Sequence, residues 1–346
     1  MKRAKINYPA RITLANLPTP LVKLERLSAT LGGVTVWVKR DEMTGVEVSG
    51  NKLRKLEFCI AEAQRQGCDT LITCGGLQSN HCRATAIMGA RLGMKVQLIL
   101  RGEEPEVASG NLLMDRLAGA QISYLPAEGW ASAHPQYAAQ LQAEAEVAGS
   151  KAYFIPTGAS DEVGLWGYIA ASEELAADFA VAGLRPDALV CATGSGGTQA
   201  GLIAGNALFD LAEQVVAFNV SDNAAYFEER AQHDISAWQQ RYADILAGTP
   251  AADLKVSELA VNTQEAYLGP GYGIGYPEVF ETIKTVAACE GLFLDPVYTG
   301  KAFYGMLNEI RKGADGCFAG ARNIVFVHTG GLFGVFPQQD QFTFDD

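Results

Sequence analysis

A chain of 346 residues exceeds the size at which one hydrophobic core usually divides, so two domains are expected. It is 48% hydrophobic and 19% charged, as in soluble globular enzymes, and a net charge of −12 argues against a nucleic-acid partner, since phosphate binding needs clustered Lys and Arg. The seven cysteines form no CxxC pair and no Cys/His cluster with zinc-ligand spacing, so no metal is expected and the thiols suit a reducing, cytoplasmic setting. Met1 to Leu14 lacks an apolar signal-peptide core, and no apolar run is long enough to span a bilayer, so no membrane partner is expected.

From Val34 the pattern alternates between short β-rich runs and longer helical ones. Val34–Lys39 reads as a strand, and Lys52–Gln66 as a helix with Leu53, Leu56, Ile60 and Ala63 at three- and four-residue steps. Strand Thr70–Thr73, helix Arg83–Leu92, strand Val96–Leu100, helix Ala108–Leu117 and strand Gln121–Leu125 continue the series. Helix Pro135–Ala148, strand Tyr153–Ile155, helix Glu162–Ala180 and strand Asp187–Ala192 follow, then a glycine-rich turn and a helix from Gln199. Val215–Val220, Leu292–Leu294 and Ile324–His328 complete the strands. Such βαβ units predict an α/β fold of two domains, each with a mostly parallel twisted sheet flanked by helices. The smaller domain is expected at 49–160, and the larger at 1–48 together with 161–346.

Six local patterns carry chemistry. Thr193-Gly194-Ser195-Gly196-Gly197-Thr198 stands between a strand and a helix, where glycines bring N–H groups and a helix N-terminus close to an anion. It matches neither GxxxxGK[ST] nor GxGxxG, and taken alone it also describes a turn without a ligand. Ser49-Gly50-Asn51-Lys52 puts a lysine at a helix start, where burial could prepare it for a Schiff base; with Arg54 and Lys55 beside it, a solvated basic helix start is the other reading. Cys74-Gly75-Gly76-Leu77-Gln78-Ser79-Asn80-His81 offers a second anion nest, or equally an N-cap by Ser79 or Asn80, with His81 read as structural. Pro270-Gly271-Tyr272-Gly273, Asp295-Pro296-Val297-Tyr298-Thr299-Gly300-Lys301 and His328-Thr329-Gly330-Gly331 add two tyrosines and a third glycine turn at a strand end.

Together these motifs resemble the 1-aminocyclopropane-1-carboxylate (ACC) deaminase/D-cysteine desulfhydrase family, in order from Leu17-Pro18-Thr19-Pro20-Leu21 to Gly331. The resemblance implies pyridoxal 5'-phosphate (PLP) as cofactor, the fold-type-II architecture of tryptophan synthase β relatives, a small amino-acid substrate and a homodimer. By position it makes Lys52 the Schiff-base lysine, Thr193 to Thr198 the phosphate loop, and Asn51 and Tyr298 the covers of the pyridine ring. Asn80 would reach the ring's 3'-oxygen, Thr329 its nitrogen, and Gln78, Ser79 and Asn80 the substrate carboxylate. Tyr272 and Tyr298 would approach the reacting carbons.

Family members that open the cyclopropane ring carry Glu and Leu where this chain has Thr299 and Thr329, as D-cysteine desulfhydrases do. That makes Thr299 a substrate-side position and implies β-elimination from D-cysteine to pyruvate, ammonia and hydrogen sulfide. An L-cysteate sulfo-lyase, an ACC deaminase and a silent PLP- or phosphate-binding regulator are the alternatives. A sulfonate would need a further cation; Arg83 and Lys301 are near in sequence, but both read as surface charges. Cys74, Cys82, Leu77 and Val46-Glu47-Val48-Ser49 depart from the family pattern, and 226–259 matches nothing in it.

Overall fold

The computed structural model describes residues 5–344. Ten strands occur among them: β1 (Leu21–Lys23), β2 (Thr35–Lys39), β3 (Thr70–Gly76), β4 (Lys95–Arg101), β5 (Gln121–Leu125), β6 (Ala152–Ile155), β7 (Ala188–Thr193), β8 (Gln214–Asn219), β9 (Asn262–Gln264) and β10 (Asn323–Val327). The helices are α1 (Glu25–Ser28), α2 (Lys52–Arg65), α3 (Asn80–Leu92), α4 (Gly110–Leu117), α5 (Trp130–Val147), α6 (Trp166–Ala182), α7 (Gly197–Phe209), α8 (Ala224–Arg241), α9 (Ala243–Leu246), α10 (Pro277–Glu290) and α11 (Thr299–Arg311).

Two sheets result. The smaller has the order β5-β4-β3-β6 and is wholly parallel; the larger has the order β1-β2-β10-β7-β8-β9, with only β1–β2 antiparallel. Apolar β7 is buried along its whole length, as a strand covered by helices on both faces must be. In each sheet the chain reverses its direction of travel beside one strand, β3 in the smaller and β7 in the larger. Ligands bind outside the carboxyl ends of strands at such switch points. Both glycine loops, 75–80 and 193–198, leave their sheets there.

The helix that carries Lys52 is held by charge as well as by packing. Leu53, Leu56, Ile60 and Ala63 of α2 are fully buried. Beside them Arg54 reaches Asp41 at 2.9 and 2.7 Å and Glu174 at 3.0 and 2.9 Å, so a buried guanidinium ties α2 to the turn after β2 and to α6. Burial pushes the Asp41 carboxyl up, but Arg54 outweighs it and holds the group below its usual range. Removing one partner of such a buried pair costs about 3–5 kcal/mol, far more than a surface pair is worth.

The structure corrects several expectations. Leu292–Leu294 is not a strand: its residues alternate in burial, but the edges of β10 are already taken by β2 and β7, and Phe293 bonds through its carbonyl to the His328 ring instead. Helix α5 begins at Trp130, so Pro135 lies inside it and not at its first turn. The unmatched stretch after Tyr226 is largely α8, which buries Phe227, Ala231, Ile235 and Trp238 at helical spacing; Trp238 meets Trp166 edge-on at 5.1 Å. No helix among the described residues is long and apolar enough to cross a membrane.

Candidate active site

A cavity of about 540 Å³ lies where the carboxyl ends of the two sheets face each other. Lys52, Asn51, Ser79, Asn80, Tyr272, Tyr298 and Thr329 all line it, with Thr193 to Gly196 and Thr198. The sequence thus named most of the wall, although its pieces come from six separate segments.

Lys52 Nζ donates to Asn51 Oδ1 at 2.9 Å and stands 5.8 Å from the centre of the Tyr298 ring. Burial, then the nearby charges of Lys55 and Arg83, push its amine down to about 7, with Asp295 opposing. At neutral pH about half of such amines are uncharged and nucleophilic. Lys55 and Arg54, read in the sequence as solvated, are buried. Lys55 donates to the Gly158 carbonyl at 3.1 Å behind the glycine loop and does not line the cavity, whereas Lys52 does.

The phosphate-binding expectation can be tested on the loop itself. Gly196 has φ +87, a conformation that glycine supplies without strain, and it turns the chain into the N-terminus of α7. Among the described residues nothing accepts from the N–H groups of Ser195 and Gly196. The Thr193 hydroxyl is buried with no partner. Orphaned donors are costly where water is excluded, so a loop that keeps several unsatisfied on a cavity wall suits an anion. A phosphate fits. Gly197 does not contribute in the same way: its N–H goes to Ser160 Oγ at 3.1 Å, and it lies off the cavity wall. Its role is space, because a Cβ there would come within 2.6 Å of Ser160 Oγ and 2.8 Å of Lys55 Nζ.

Opposite this loop is the N-terminus of α3. Ser79 is the N-cap, its Oγ accepting from Cys82 N at 3.1 Å, which leaves the hydroxyl proton free for a ligand. Asn80 Oδ1 is taken by Asn111 at 3.0 Å, and its Nδ2 has no partner among the described residues. Gln78, expected at the substrate carboxylate, turns away: it accepts from Asn111 N at 2.9 Å, donates to the Ser109 carbonyl at 3.1 Å, and braces the loop from outside the cavity. Arg83 is no surface charge either. It is fully buried, donating to Asn111 at 2.7 Å and to the Ser49 carbonyl at 2.7 Å, so it links this loop to the segment before Lys52. His81 is structural, as read, with Nε2 on Thr73 Oγ1 at 2.9 Å and burial holding it well below its usual pKa.

The two tyrosines meet at the cavity, their hydroxyls 2.5 Å apart. Burial raises both above the ordinary phenol range, so the pair keeps its protons and can give one away. Buried Lys301, also expected at the surface, holds the Tyr272 loop through the carbonyls of Leu268 at 2.8 Å and Gly271 at 2.7 Å. Thr299 does not reach the cavity. Its hydroxyl donates to Asp295 Oδ1 at 2.7 Å, and that carboxylate also caps the backbone of Val297 and Tyr298 at 2.9 Å each. The knot fixes Tyr298 and leaves Thr329 as the threonine of the pair that lines the site. Missed by sequence reading are Arg101, Trp130, His134 and Arg230, which also line the cavity. Arg101 had one signal: it ends a parallel strand, where ligand sites concentrate.

A buried amine near neutrality and an anion cradle, set at the switch points of two parallel sheets, define an α/β enzyme that holds a phosphorylated carbonyl cofactor. Comparison with known proteins agrees. The family described as "Pyridoxal-phosphate dependent enzyme" matches residues 12–330. The chain is 41% identical over 338 residues to the mitochondrial bifunctional D-cysteine desulfhydrase/1-aminocyclopropane-1-carboxylate deaminase of Arabidopsis thaliana, covering 95% of this chain and 80% of that protein. It is 38% identical over 332 residues to the D-cysteine desulfhydrase of Salmonella schwarzengrund, covering 94% and 95% of the two. Among solved structures, an ACC deaminase homologue superimposes with a TM-score of 0.81 at 32% identity, over 98% of this chain and 95% of that one. The chain belongs to the pyridoxal-phosphate dependent enzymes, in the branch with ACC deaminases and D-cysteine desulfhydrases, and its cofactor is PLP.

Proposed function

We propose that the protein is a PLP-dependent lyase that eliminates the β-substituent of a small amino acid, D-cysteine foremost, to give pyruvate, ammonia and hydrogen sulfide. The observation that carries this reading is the Lys52 amine, lowered to about 7 by burial, in one cavity with the unsatisfied donors of the 193–198 loop. Lys52 would hold the cofactor's aldehyde carbon, the loop its phosphate, Asn80 its 3'-oxygen, and Asn51 and Tyr298 the faces of its ring. When bound, PLP supplies the electron sink for the charge left on Cα. Ser79 Oγ, Asn80 Nδ2 and the α3 N-terminus bind the substrate carboxylate. Lys52, released as an amine, takes the Cα proton; Ser79 has no base within hydrogen-bond reach and is the weaker candidate. The Tyr272–Tyr298 pair gives its proton to the departing sulfur. Thr329 offers the ring nitrogen a hydroxyl and no charge, which suits a good leaving group such as thiol better than ring opening.

Purified protein offered D-cysteine, L-cysteine and ACC in turn tests this. Pyruvate from D-cysteine in excess of the others is expected; an oxoacid from ACC alone would overturn the assignment.

We also infer a smaller domain at 49–160 against the rest, supported by the smaller sheet, whose strands all fall between 70 and 155. A cytoplasmic homodimer is part of the same reading. The seven free cysteines suit a reducing compartment, and exposed Phe293, Leu332 and Phe336 suit a covered face.

A further inference from the structure

The 269–275 segment that carries Tyr272 has little of its own to hold it. Gly269, Gly271 and Gly273 adopt φ +69, +143 and +83, so a glycine on each side of Tyr272 leaves the backbone unusually free. One backbone bond closes a turn within the segment, from Ile274 N to the Gly271 carbonyl at 3.5 Å. Yet Tyr272 keeps its hydroxyl 2.5 Å from that of Tyr298. Two distant side chains clamp it there. Lys301 of α11 takes the Gly271 carbonyl, one residue before Tyr272. Gln338 takes the other side: its Nε2 donates to the Gly273 carbonyl at 3.2 Å, and its Oε1 accepts from Gly275 N at 2.9 Å. A primary amide offers one acceptor and two donors on a single flat group, which is what a C=O and an N–H two residues apart require.

Gln338 belongs to the segment that follows Gly331, and this strap is tied down along its course. The Arg83 guanidinium lies 4.7 Å from the centre of the Phe333 ring. A Cβ at Gly110 would come within 2.6 Å of the Phe333 carbonyl and 2.8 Å of Pro337 Cγ, so the strap packs against the start of α4, beside the Gln78 brace. Further on, Phe342 meets Phe280 edge-on at 4.9 Å, and the Thr343 carbonyl accepts from Lys284 Nζ at 2.6 Å, both on α10. The strap thus runs from the cavity wall at Gly330 to the helix that follows the Tyr272 loop. Among the described residues, Gln338 is its one side chain that hydrogen-bonds that loop. Two neutral hydrogen bonds add little net stability once a flexible side chain is ordered to make them. Their main effect is the geometry they fix.

We propose that Gln338 is a positioning residue for proton transfer: by holding the backbone just after Tyr272, it keeps that hydroxyl aligned with the sulfur leaving Cβ. The inference rests on the β-elimination reading above and deepens it by naming what aims the proton donor. In the step concerned the Cβ–S bond breaks with both electrons going to sulfur, and the Tyr272 hydroxyl passes its proton to that sulfur. The phenolate left behind regains a proton from water as product departs. Such a transfer needs heavy atoms about 2.6–3.2 Å apart, so a small displacement of the loop is enough to impair it. A leaving group that is a very weak base, such as chloride, departs without a proton. Loosening Tyr272 therefore slows the first reaction and spares the second.

The test compares holoenzyme with three variants on D-cysteine and on 3-chloro-D-alanine, following pyruvate. Gln338→Met keeps the volume and loses both bonds, Gln338→Glu keeps the acceptor alone, and Tyr272→Phe removes the proton donor. Gln338→Met should lower kcat/KM for D-cysteine about 30-fold while staying within about twofold of wild type on 3-chloro-D-alanine. Tyr272→Phe should show the same selectivity more strongly, and Gln338→Glu a smaller loss. Equal losses on both substrates in Gln338→Met would overturn the inference, since the strap would then only support the fold. An unchanged Gln338→Met enzyme would overturn it as well. A Tyr272→Phe enzyme that keeps its D-cysteine rate would remove Tyr272 as proton donor and this inference with it, while the lyase reading stands. A wild type that releases pyruvate from neither substrate would instead strike the β-elimination reading, and the inference would fall with it.

Discussion

Stripped of its cofactor, the protein should recapture PLP with a pH dependence set by Lys52. Only the neutral amine attacks an aldehyde. An ordinary lysine, with a pKa near 10.4, is neutral in roughly one molecule in 2,500 at pH 7. Lys52, held at about 7 by burial and by Lys55 and Arg83, is neutral in about half. The gain is on the order of a thousandfold in reactive amine. Raising the pH removes the proton, so the capture rate should climb roughly tenfold per unit below pH 7 and level off above about 8. The assay is the rate at which the visible band returns between pH 5.5 and 9, with the reaction of PLP with Nα-acetyl-lysine followed in parallel in the same buffers. A rate that keeps climbing tenfold per unit to pH 9, as for the free lysine, would refute the burial argument.

Thr193→Val removes a hydroxyl that is buried and unpartnered in the protein alone. It should leave the cofactor-free melting point unchanged or raised while weakening PLP binding about tenfold, because the hydroxyl matters only to the phosphate; a stability loss without an affinity change would contradict this. Ser79→Ala loses both a cap and a ligand donor and should cost about 1 kcal/mol in urea unfolding as well as a large rise in KM. Ser79→Asp keeps the cap and repels the substrate carboxylate, so it should regain the stability and not the KM; recovery of both would show a purely structural serine. Thr299→Val should cost about 2 kcal/mol of stability through the Asp295 knot with the substrate ranking intact, whereas Thr329→Val should shift the cofactor band. A reversed pattern, read by unfolding and absorbance, would restore Thr299 to the site.

The sequence carried the site better than it carried the supports of the site. Lys52, Ser79, Tyr298 and the 193–198 loop sit at strand exits or helix starts, where backbone rules alone predict convergence, and they do converge. Tyr272 lies in a turn between β9 and α10, and only the family resemblance pointed to it. Gln78 and Thr299 could not be separated from their neighbours in the same way. Each lies in a binding motif, and only tertiary contacts, Ser109 for one and Asp295 for the other, turn it away. Arg54, Lys55, Arg83 and Lys301 read as surface charges because the acceptors that bury them lie far off in sequence, up to 120 residues away for Arg54 and 103 for Lys55. Helix α8 went unread: Phe227, Ala231, Ile235 and Trp238 carry a helical spacing, but no motif drew attention to it. β1 and β9, three residues each, exist only as additions to sheet edges and leave no periodicity to read.

The central claim is that Lys52 carries the cofactor. Borohydride reduction of the yellow protein, followed by proteolysis and mass spectrometry of the peptides, tests it most directly. The account predicts a single reduced PLP adduct on the peptide spanning Lys52, assigned to that residue and absent from Lys52→Ala. An adduct on Lys55 or Lys301, or scattered over surface lysines and undiminished in Lys52→Ala, would contradict it.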